Sequence, residues 1–243
     1  VGEHYLFGCH QDDGGVLVIT QQADASFTSK KLTYPDARRT SVLVSHPARG
    51  DMAVGQYGAY PDYNGLVRVD PALDAIPAEA VVELPANQCG FAFERAQGDQ
   101  IVVLTEDGTL HLFNPDDWRL LGSLQVTEPF ACFGDAPAPS LAVGSHVAYV
   151  SLPASGEILE IDLATIQVAR TFAVAGQPSS LALFGWYGSL RGAAVAHRAG
   201  LAERRADRPQ RPRRAHGLAA FRAAARTQPA HPGPRGRGRR DDP

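Results

Sequence analysis

Four glycine-led apolar segments recur along the first three-quarters of the chain, and they constrain its fold more than any other feature. They are GVLVIT from Gly15, GLVRVD from Gly65, GTLHLF from Gly108 and GEILEI from Gly156. The glycines stand 50, 43 and 48 residues apart, and each segment follows another short apolar run across a polar, turn-rich break. A hairpin repeated at intervals in the forties is typical of propeller blades. The sequence therefore predicts an all-β protein, a partial β-propeller of about four four-stranded blades.

The repeat assigns four strands to each blade except the first, for which the pattern supplies three. The predicted strands are 5–8, 16–20 and 27–34; then 41–45, 52–57, 66–70 and 80–84; then 90–94, 101–105, 109–114 and 119–126; then 140–143, 146–151, 157–162 and 168–174, with 180–184 opening a fifth blade. Asp107–Gly108 and Asn64–Gly65 are expected to supply the positive φ that tight hairpins need. The alternative is an ordinary β-sandwich, which does not need four similar hairpins at near-constant spacing.

The charge of the chain divides it into two parts. Residues 1–185 carry 22 acidic and 9 basic side chains, whereas residues 186–243 carry 14 arginines and 4 acids. The second part is rich in Ala, Arg, Pro and Gly and cannot bury enough apolar surface to fold by itself. We therefore predict a partial β-propeller over 1–185 and a low-complexity basic tail over 186–243. The tail is interpreted as out-of-frame or disordered, with weak helical propensity; a genuine nucleic-acid-binding or membrane-binding arm is the alternative.

Sequence motifs of catalysis are absent from residues 1–185. This part contains no G-x-S-x-G nucleophile motif and no Gly-rich phosphate loop. The sequence has no run of about 18 consecutive apolar residues, so it predicts no membrane-spanning helix. The chain begins at Val1, so we expect it to be truncated at its N-terminus.

Histidine residues are the candidates for metal binding. His46 ends the predicted inner strand SVLVSHP, and His10 lies at the end of a strand in the neighbouring blade. Two such residues could converge on one mouth of the central channel, where an aspartate such as Asp12 could complete a zinc site. The alternative for each histidine is a structural role, and for Asp12 it is turn formation.

The three cysteines, Cys9, Cys89 and Cys132, contain no CxxC pair. Cys89 and Cys132 lie 43 residues apart, which is one blade repeat. They could form a disulfide, which would imply an oxidising compartment, or all three could be buried thiols.

Three stretches carry a resemblance to a known family: YLFGCHQDDGGVLVIT, SHPARGDMAVGQYGAYPDYNGLVRVDP and GEILEIDLATIQVARTFAVAGQPSSLALFG. They resemble the AztD-type zinc metallochaperones, which are YVTN-like β-propellers of the bacterial periplasm. The resemblance covers residues 2–185. It implies a protein that is not an enzyme, binds zinc and delivers it to the periplasmic solute-binding protein of a zinc ABC importer.

The resemblance also implies site residues and partners. His10 and His46 match the family's GCH and SHP motifs, so they are the expected zinc ligands, with Asp12 as a third. Family members also carry a flexible His/Asp-rich segment near the N-terminus, which this sequence lacks. No nucleic-acid or membrane partner is expected. The alternatives are a protein-interaction propeller without metal and a propeller enzyme such as a lactonase or quinone-dependent dehydrogenase.

Overall fold

The protein is a partial β-propeller in a computed structural model that describes residues 3–9, 14–34, 36, 38–59 and 61–184. Fifteen strands are found in these ranges, and they form four antiparallel sheets, each with its strands in chain order. The first sheet has three strands and the other three have four. The prediction of an all-β partial propeller is confirmed.

The strands follow the four predicted blades closely. Blade 1 contains β1 (His4–Gly8), β2 (Val16–Gln21) and β3 (Phe27–Leu32). Blade 2 contains β4 (Leu43–Ser45), β5 (Ala53–Ala59), β6 (Asp62–Val69) and, after a 3-10 helix (Ala78–Ala80), β7 (Val81–Glu83). Blade 3 contains β8 (Gln88–Phe93), β9 (Ile101–Thr105), β10 (Thr109–Phe113) and β11 (Leu120–Gln125). Blade 4 contains β12 (Leu141–Val143), β13 (Val147–Leu152), β14 (Glu157–Asp162) and β15 (Gln167–Ala173).

The hydrophobic core lies between the blades, in three layers. Strand β9 shows the principle, because all five of its residues are buried. Ile101 and Val103 pack in the layer that blade 3 shares with blade 2, whereas Val102 and Leu104 pack in the layer shared with blade 4. Successive side chains of a strand point to opposite faces, so a strand covered on both faces reads as a continuous apolar run.

The inner strands β4, β8 and β12 lie side by side, and their ends meet at one mouth of the channel. His46 follows the end of β4 and contacts the carbonyl oxygen of Arg95, which follows β8. The N–H of Arg95 in turn donates to the carbonyl oxygen of Gly144, which follows β12. We call this end the His46 mouth. The opposite end, where β4 and β8 begin, carries Cys89 and is called the Cys89 mouth.

Two details of the sequence interpretation are wrong. Asn64 and Gly65 do not form the turn of the β5–β6 hairpin; Gly65 lies within β6, opposite Tyr57, and the pairing continues to Ala59 and Asp62. The turn lies earlier in the chain, between Ala59 and Asp62, and the ladder reaches it across a register shift between Tyr57 and Ala59.

The second error concerns the predicted fifth blade, since residues 180–184 form no strand. Leu181 instead donates its N–H to Ser140 Oγ, and the segment packs beside β12. The predicted tail, 186–243, lies outside the described residues, so its separation from the propeller stays a prediction. In the part of the chain that is described, no helix is long and apolar enough to cross a membrane.

Candidate functional site

His46 lies where the sequence predicted, directly after the inner strand of blade 2. Its ring is buried, with 6% of the residue exposed. The N–H of Ala48 donates to Nδ1 at 3.1 Å, and Nε2 lies 3.0 Å from the carbonyl oxygen of Arg95. Because a backbone amide can only donate and a carbonyl can only accept, the proton of the neutral ring is assigned to Nε2. Nδ1 therefore fixes the loop that follows β4, and Nε2 joins blade 2 to blade 3.

This arrangement bears directly on zinc binding by His46. Metal-ligating histidines commonly donate their other ring N–H to a backbone carbonyl, as Nε2 does here towards Arg95. The ligating atom would then be Nδ1, but that atom accepts the hydrogen bond from Ala48 and its edge of the ring lies against Gly98. Zinc binding through Nδ1 would require the loss of the Ala48 hydrogen bond and a shift of the ring. A ligand role for His46 stays a prediction.

A cavity of about 380 Å³ opens beside His46, and it brings a second histidine to the same mouth. His4, at the start of β1, lines this cavity together with His46 and Arg49. The Nδ1 atom of His4 lies 2.9 Å from Thr20 Oγ1, and Arg49 forms an ion pair with Asp116 of blade 3. No motif in the sequence points to His4. It lies near His46 because β1 runs antiparallel to β4, with Gly8 beside Thr40 at one end and His4 beside the His46 cavity at the other.

His10 and Asp12 lie outside the described residues, so the structure does not test them as ligands. The residues on either side of their loop are described. Cys9 donates its N–H to the carbonyl oxygen of Gly15. Gly14 packs against the carbonyl oxygen of Arg38, before the start of β4. The described ends of this loop thus lie at the Cys89 mouth, at the opposite end of β4 from His46. The predicted convergence of His10 with His46 is not tested and stays a prediction.

The Cys89 mouth contains a cluster of potential metal ligands that sequence reasoning missed. Cys89 and Cys132 form a disulfide with a Cα–Cα distance of 5.3 Å, as the 43-residue spacing allowed. One oxygen of Glu106 lies with the two sulfur atoms in a group whose members are all within 4.8 Å of one another. Glu106 follows β9 in an ordinary Glu-Asp-Gly turn, so nothing in its local sequence distinguishes it. Cys9 is a free thiol.

Two further histidines of the described residues, His111 and His146, lie among structural contacts. His111 is buried in β10, where Nδ1 lies 2.8 Å from Ser123 Oγ. Burial lowers the pKa of His111, and the charge of Asp107 offsets only part of this effect. His146 has an exposed side chain, with Nδ1 3.8 Å from the buried carboxylate of Glu94.

Comparison with known proteins identifies relatives of the predicted kind. No protein-family model matches the chain. It is 26% identical over 197 residues to the zinc chaperone AztD of Citrobacter koseri, an alignment that covers 79% of this chain and 44% of the relative. The resemblance to AztD-type proteins is thereby confirmed. The relative is named as a chaperone and not as an enzyme, which agrees with the prediction that this chain is not an enzyme.

Two crystal structures of C. koseri AztD show the same fold. The apo form matches with a TM-score of 0.60 and 24% identity, over 73% of this chain and 46% of that one. A second structure matches with a TM-score of 0.64 and 23% identity, over 77% of this chain and 49% of that one. The chain therefore spans less than half the length of the relatives that it matches.

Proposed function

We propose that this chain is part of a zinc chaperone that binds zinc in the bacterial periplasm and delivers it to the solute-binding protein of a zinc ABC importer. The observation that carries the proposal is the alignment with a zinc chaperone over 79% of this chain. The protein would bind the ion and release it to its partner by ligand exchange, with no chemical step. The zinc ion is thus cargo.

The proposed ligands are His10, Asp12 and His46. Imidazole nitrogen and carboxylate oxygen are both good zinc ligands, and the imidazole must be neutral to bind. Residues 1–185 hold 22 acids against 9 basic residues. This excess of negative charge would raise the local concentration of cations and favour docking to a basic surface on the partner. Zinc affinity should fall as the pH drops through the range in which histidine becomes protonated.

The disulfide supports the proposed compartment. Disulfides such as Cys89–Cys132 persist in oxidising environments, of which the bacterial periplasm is one, and they are rare in the cytosol of mesophiles.

Zinc binding can be tested by equilibrium dialysis of the oxidised chain at micromolar free zinc. We expect retention of zinc and weaker retention in H10A, D12N and H46Q. The variant H146N is the matched control, because His146 is exposed and its positive φ of 63° suits asparagine. Circular dichroism would show whether H46Q lowers the zinc affinity only by unfolding the segment in which His46 contacts Ala48 and Arg95. Absence of zinc retention by the wild-type chain would contradict the proposal.

Delivery needs a separate experiment. The zinc-loaded chain would be mixed with a zinc-free periplasmic solute-binding protein in the presence of a chelator that competes only for free zinc. Transfer faster than chelator capture supports delivery, and transfer at the rate of spontaneous release contradicts it.

A protein-interaction propeller without metal is the competing function. It predicts no zinc retention and no effect of the three substitutions. A propeller enzyme of the classes named above would need a channel-centred carboxylate cluster with calcium or a cofactor-stacking tryptophan. Trp118 does not stack on a cofactor site, because it is buried in the layer between blades 2 and 3, where Nε1 donates to the carbonyl oxygen of Ala80 at 2.8 Å. Trp186 lies outside the described residues.

A further inference from the structure

Three side chains with metal-binding atoms meet at the Cys89 mouth, although they come from three separate segments. Cys89 belongs to β8, Glu106 follows β9, and Cys132 lies in the connection between blades 3 and 4. The two sulfur atoms and one carboxylate oxygen are all within 4.8 Å of one another. Two thiolates and a carboxylate form a donor set that suits zinc and other divalent ions that favour sulfur.

A β-bulge directs Cys89 into this cluster. Gln88 pairs with Thr105 and Gly90 pairs with Leu104, so Cys89 is the extra residue that has no partner across the strand. Bulges leave the extra residue out of the ladder and redirect its side chain, and they are common beside functional sites.

The carboxylate of Glu106 is held in place by two hydrogen bonds. Oε1 accepts from the backbone N–H of Cys132 at 2.9 Å, and Oε2 accepts from Asn87 Nδ2 at 2.9 Å. Each carboxylate oxygen keeps a further lone pair for a metal ion. Asn87 therefore orients Glu106 as outer-shell residues orient metal ligands.

We propose that the dithiol form of this cluster binds one thiophilic divalent cation through Cys89, Cys132 and Glu106, and that formation of the disulfide releases it. Two thiolates bound tetrahedrally to zinc at about 2.3 Å lie about 3.8 Å apart. The separation of 5.3 Å between the two Cα atoms lets the side chains span that distance. In the disulfide the sulfur atoms are bonded to each other, so neither is available as a thiolate.

The interconversion needs a reductant, which we take to be a dithiol. One reductant thiolate attacks one protein sulfur, which breaks the Cys89–Cys132 bond, releases the other protein sulfur as a thiolate and forms a mixed disulfide; the second reductant thiolate then attacks the reductant's sulfur in this mixed disulfide and displaces the protein sulfur that was attacked first. The reductant ends as a disulfide, and the protein gains two electrons and two protons as two thiols. Binding of the cation then displaces the two thiol protons. A disulfide-class oxidant reverses the sequence and frees the cation.

The cluster is accessible from both sides. Cys89 lines a cavity of about 430 Å³ next to Ser41 and Gln56. Glu106 and Asn87 line another cavity, which has a volume of about 650 Å³. All three candidate ligands are half-buried, so an ion or a small dithiol can approach them without unfolding of the blade.

The test compares the oxidised full chain with the same chain reduced by dithiothreitol and desalted under anaerobic conditions. Each form is titrated with Co²⁺ and then with Zn²⁺. We expect the reduced chain to bind one more equivalent of metal than the oxidised chain and to show a thiolate-to-cobalt charge-transfer band, which Zn²⁺ then abolishes. Reoxidation should release the extra equivalent.

Substitutions identify the ligands. E106Q should lower the affinity for the extra metal ion at least about tenfold. The matched control E83Q changes an exposed glutamate and should leave that affinity unchanged. C9S should retain the extra equivalent, and so should H46Q, because this inference does not depend on the proposed chaperone site. If C89S/C132S fails to fold, the cobalt spectrum of the reduced wild-type chain still reports thiolate ligation.

Any of these metal-binding results would overturn the proposal: no extra equivalent on reduction, a cobalt spectrum without the thiolate band, or equal affinity of E106Q and E83Q. Circular dichroism is recorded in parallel. A reduced chain that loses its β-sheet signal and does not regain it with zinc would show instead that the disulfide serves only to hold the blade connection, and this too overturns the proposal.

Discussion

The buried carboxylate of Glu94, at the end of the inner strand of blade 3, accepts a hydrogen bond from the backbone N–H of His146 in blade 4 at 2.9 Å. The same carboxylate accepts from the N–H groups of Ala96 and Gln97, at 2.8 and 2.9 Å. Glu94 is 1% exposed. One side chain therefore closes the turn that follows β8 and ties this turn to the next blade.

Replacement of Glu94 by alanine should be strongly destabilising. The backbone N–H groups of Ala96, Gln97 and His146 would lose their shared acceptor, and a hydrogen bond to a charged group contributes about 1.5–3 kcal/mol. We expect E94A to lower the free energy of unfolding by about 2–4 kcal/mol in urea denaturation. The control E83A, at an exposed glutamate, should change it by less than about 0.5 kcal/mol. Equal effects of the two substitutions would contradict a structural role for Glu94.

The same carboxylate should make the stability depend on pH in the acidic range. Burial by itself raises the pKa of Glu94, but the three N–H donors, aided by the nearby His146 ring, outweigh it and hold the pKa below the ordinary value of 4.5. The unfolded chain therefore binds this proton more readily than the folded chain. The contribution is fully present above pH 4.5 and is lost as the pH falls through the lowered pKa. Denaturation curves between pH 3 and 6 should show this loss in wild type and a smaller slope in E94Q.

His111 should produce a second pH dependence, at higher pH. Its pKa lies below the ordinary value of 6.5 because burial disfavours the imidazolium, and among the described residues the buried Nε2 atom has no hydrogen-bond partner. The folded chain thus resists a proton that the unfolded chain accepts near pH 6.5. The contribution of His111 to the free energy of unfolding should be fully present above pH 6.5. It should be lost as the pH falls below 6.5 and through the lowered pKa. In H111N this slope should vanish, whereas H4N, at an exposed histidine, should keep it.

The glycine repeat predicted the strands because hairpins leave a local pattern. Asp107–Gly108 formed the expected turn, with Gly108 at a φ of 81°. Asn64–Gly65 carries an equally good local signal, but the pairing of β5 with β6 continues past it, so tertiary contacts overrode turn propensity. The approach of Glu106 to Cys89 and Cys132 could not be predicted at all. It depends on a bulge and on the path of a blade connection, and neither has a signature in the sequence.

Gly98 should be essential for the packing of the buried His46 ring against the turn that follows β8. It has a φ of 67°, and a Cβ at this position would lie 2.6 Å from His46 Nδ1. Gly176 is a matched control, since its φ is 83° but a Cβ there would meet nothing within 4 Å. G176A should cost about 1–2 kcal/mol from backbone strain alone. G98A should cost at least about 1 kcal/mol more, because steric overpacking adds to that strain. Equal losses in urea denaturation would show that the ring moves away freely.

The disulfide should contribute to stability through the unfolded chain. Cys89 and Cys132 are separated by 43 residues, which include β9, β10 and β11. Loop-closure entropy for a segment of that length predicts a loss of about 4 kcal/mol in C89A/C132A. Reduction of the wild-type chain in metal-free buffer should lower the free energy of unfolding in urea by a similar amount, whereas reduction of the double variant should have no effect. C9A, which removes the free thiol, should keep the wild-type response to reductant. An unchanged free energy of unfolding in the reduced wild-type chain would contradict this prediction, because closure of the 43-residue loop would then add no measurable stability.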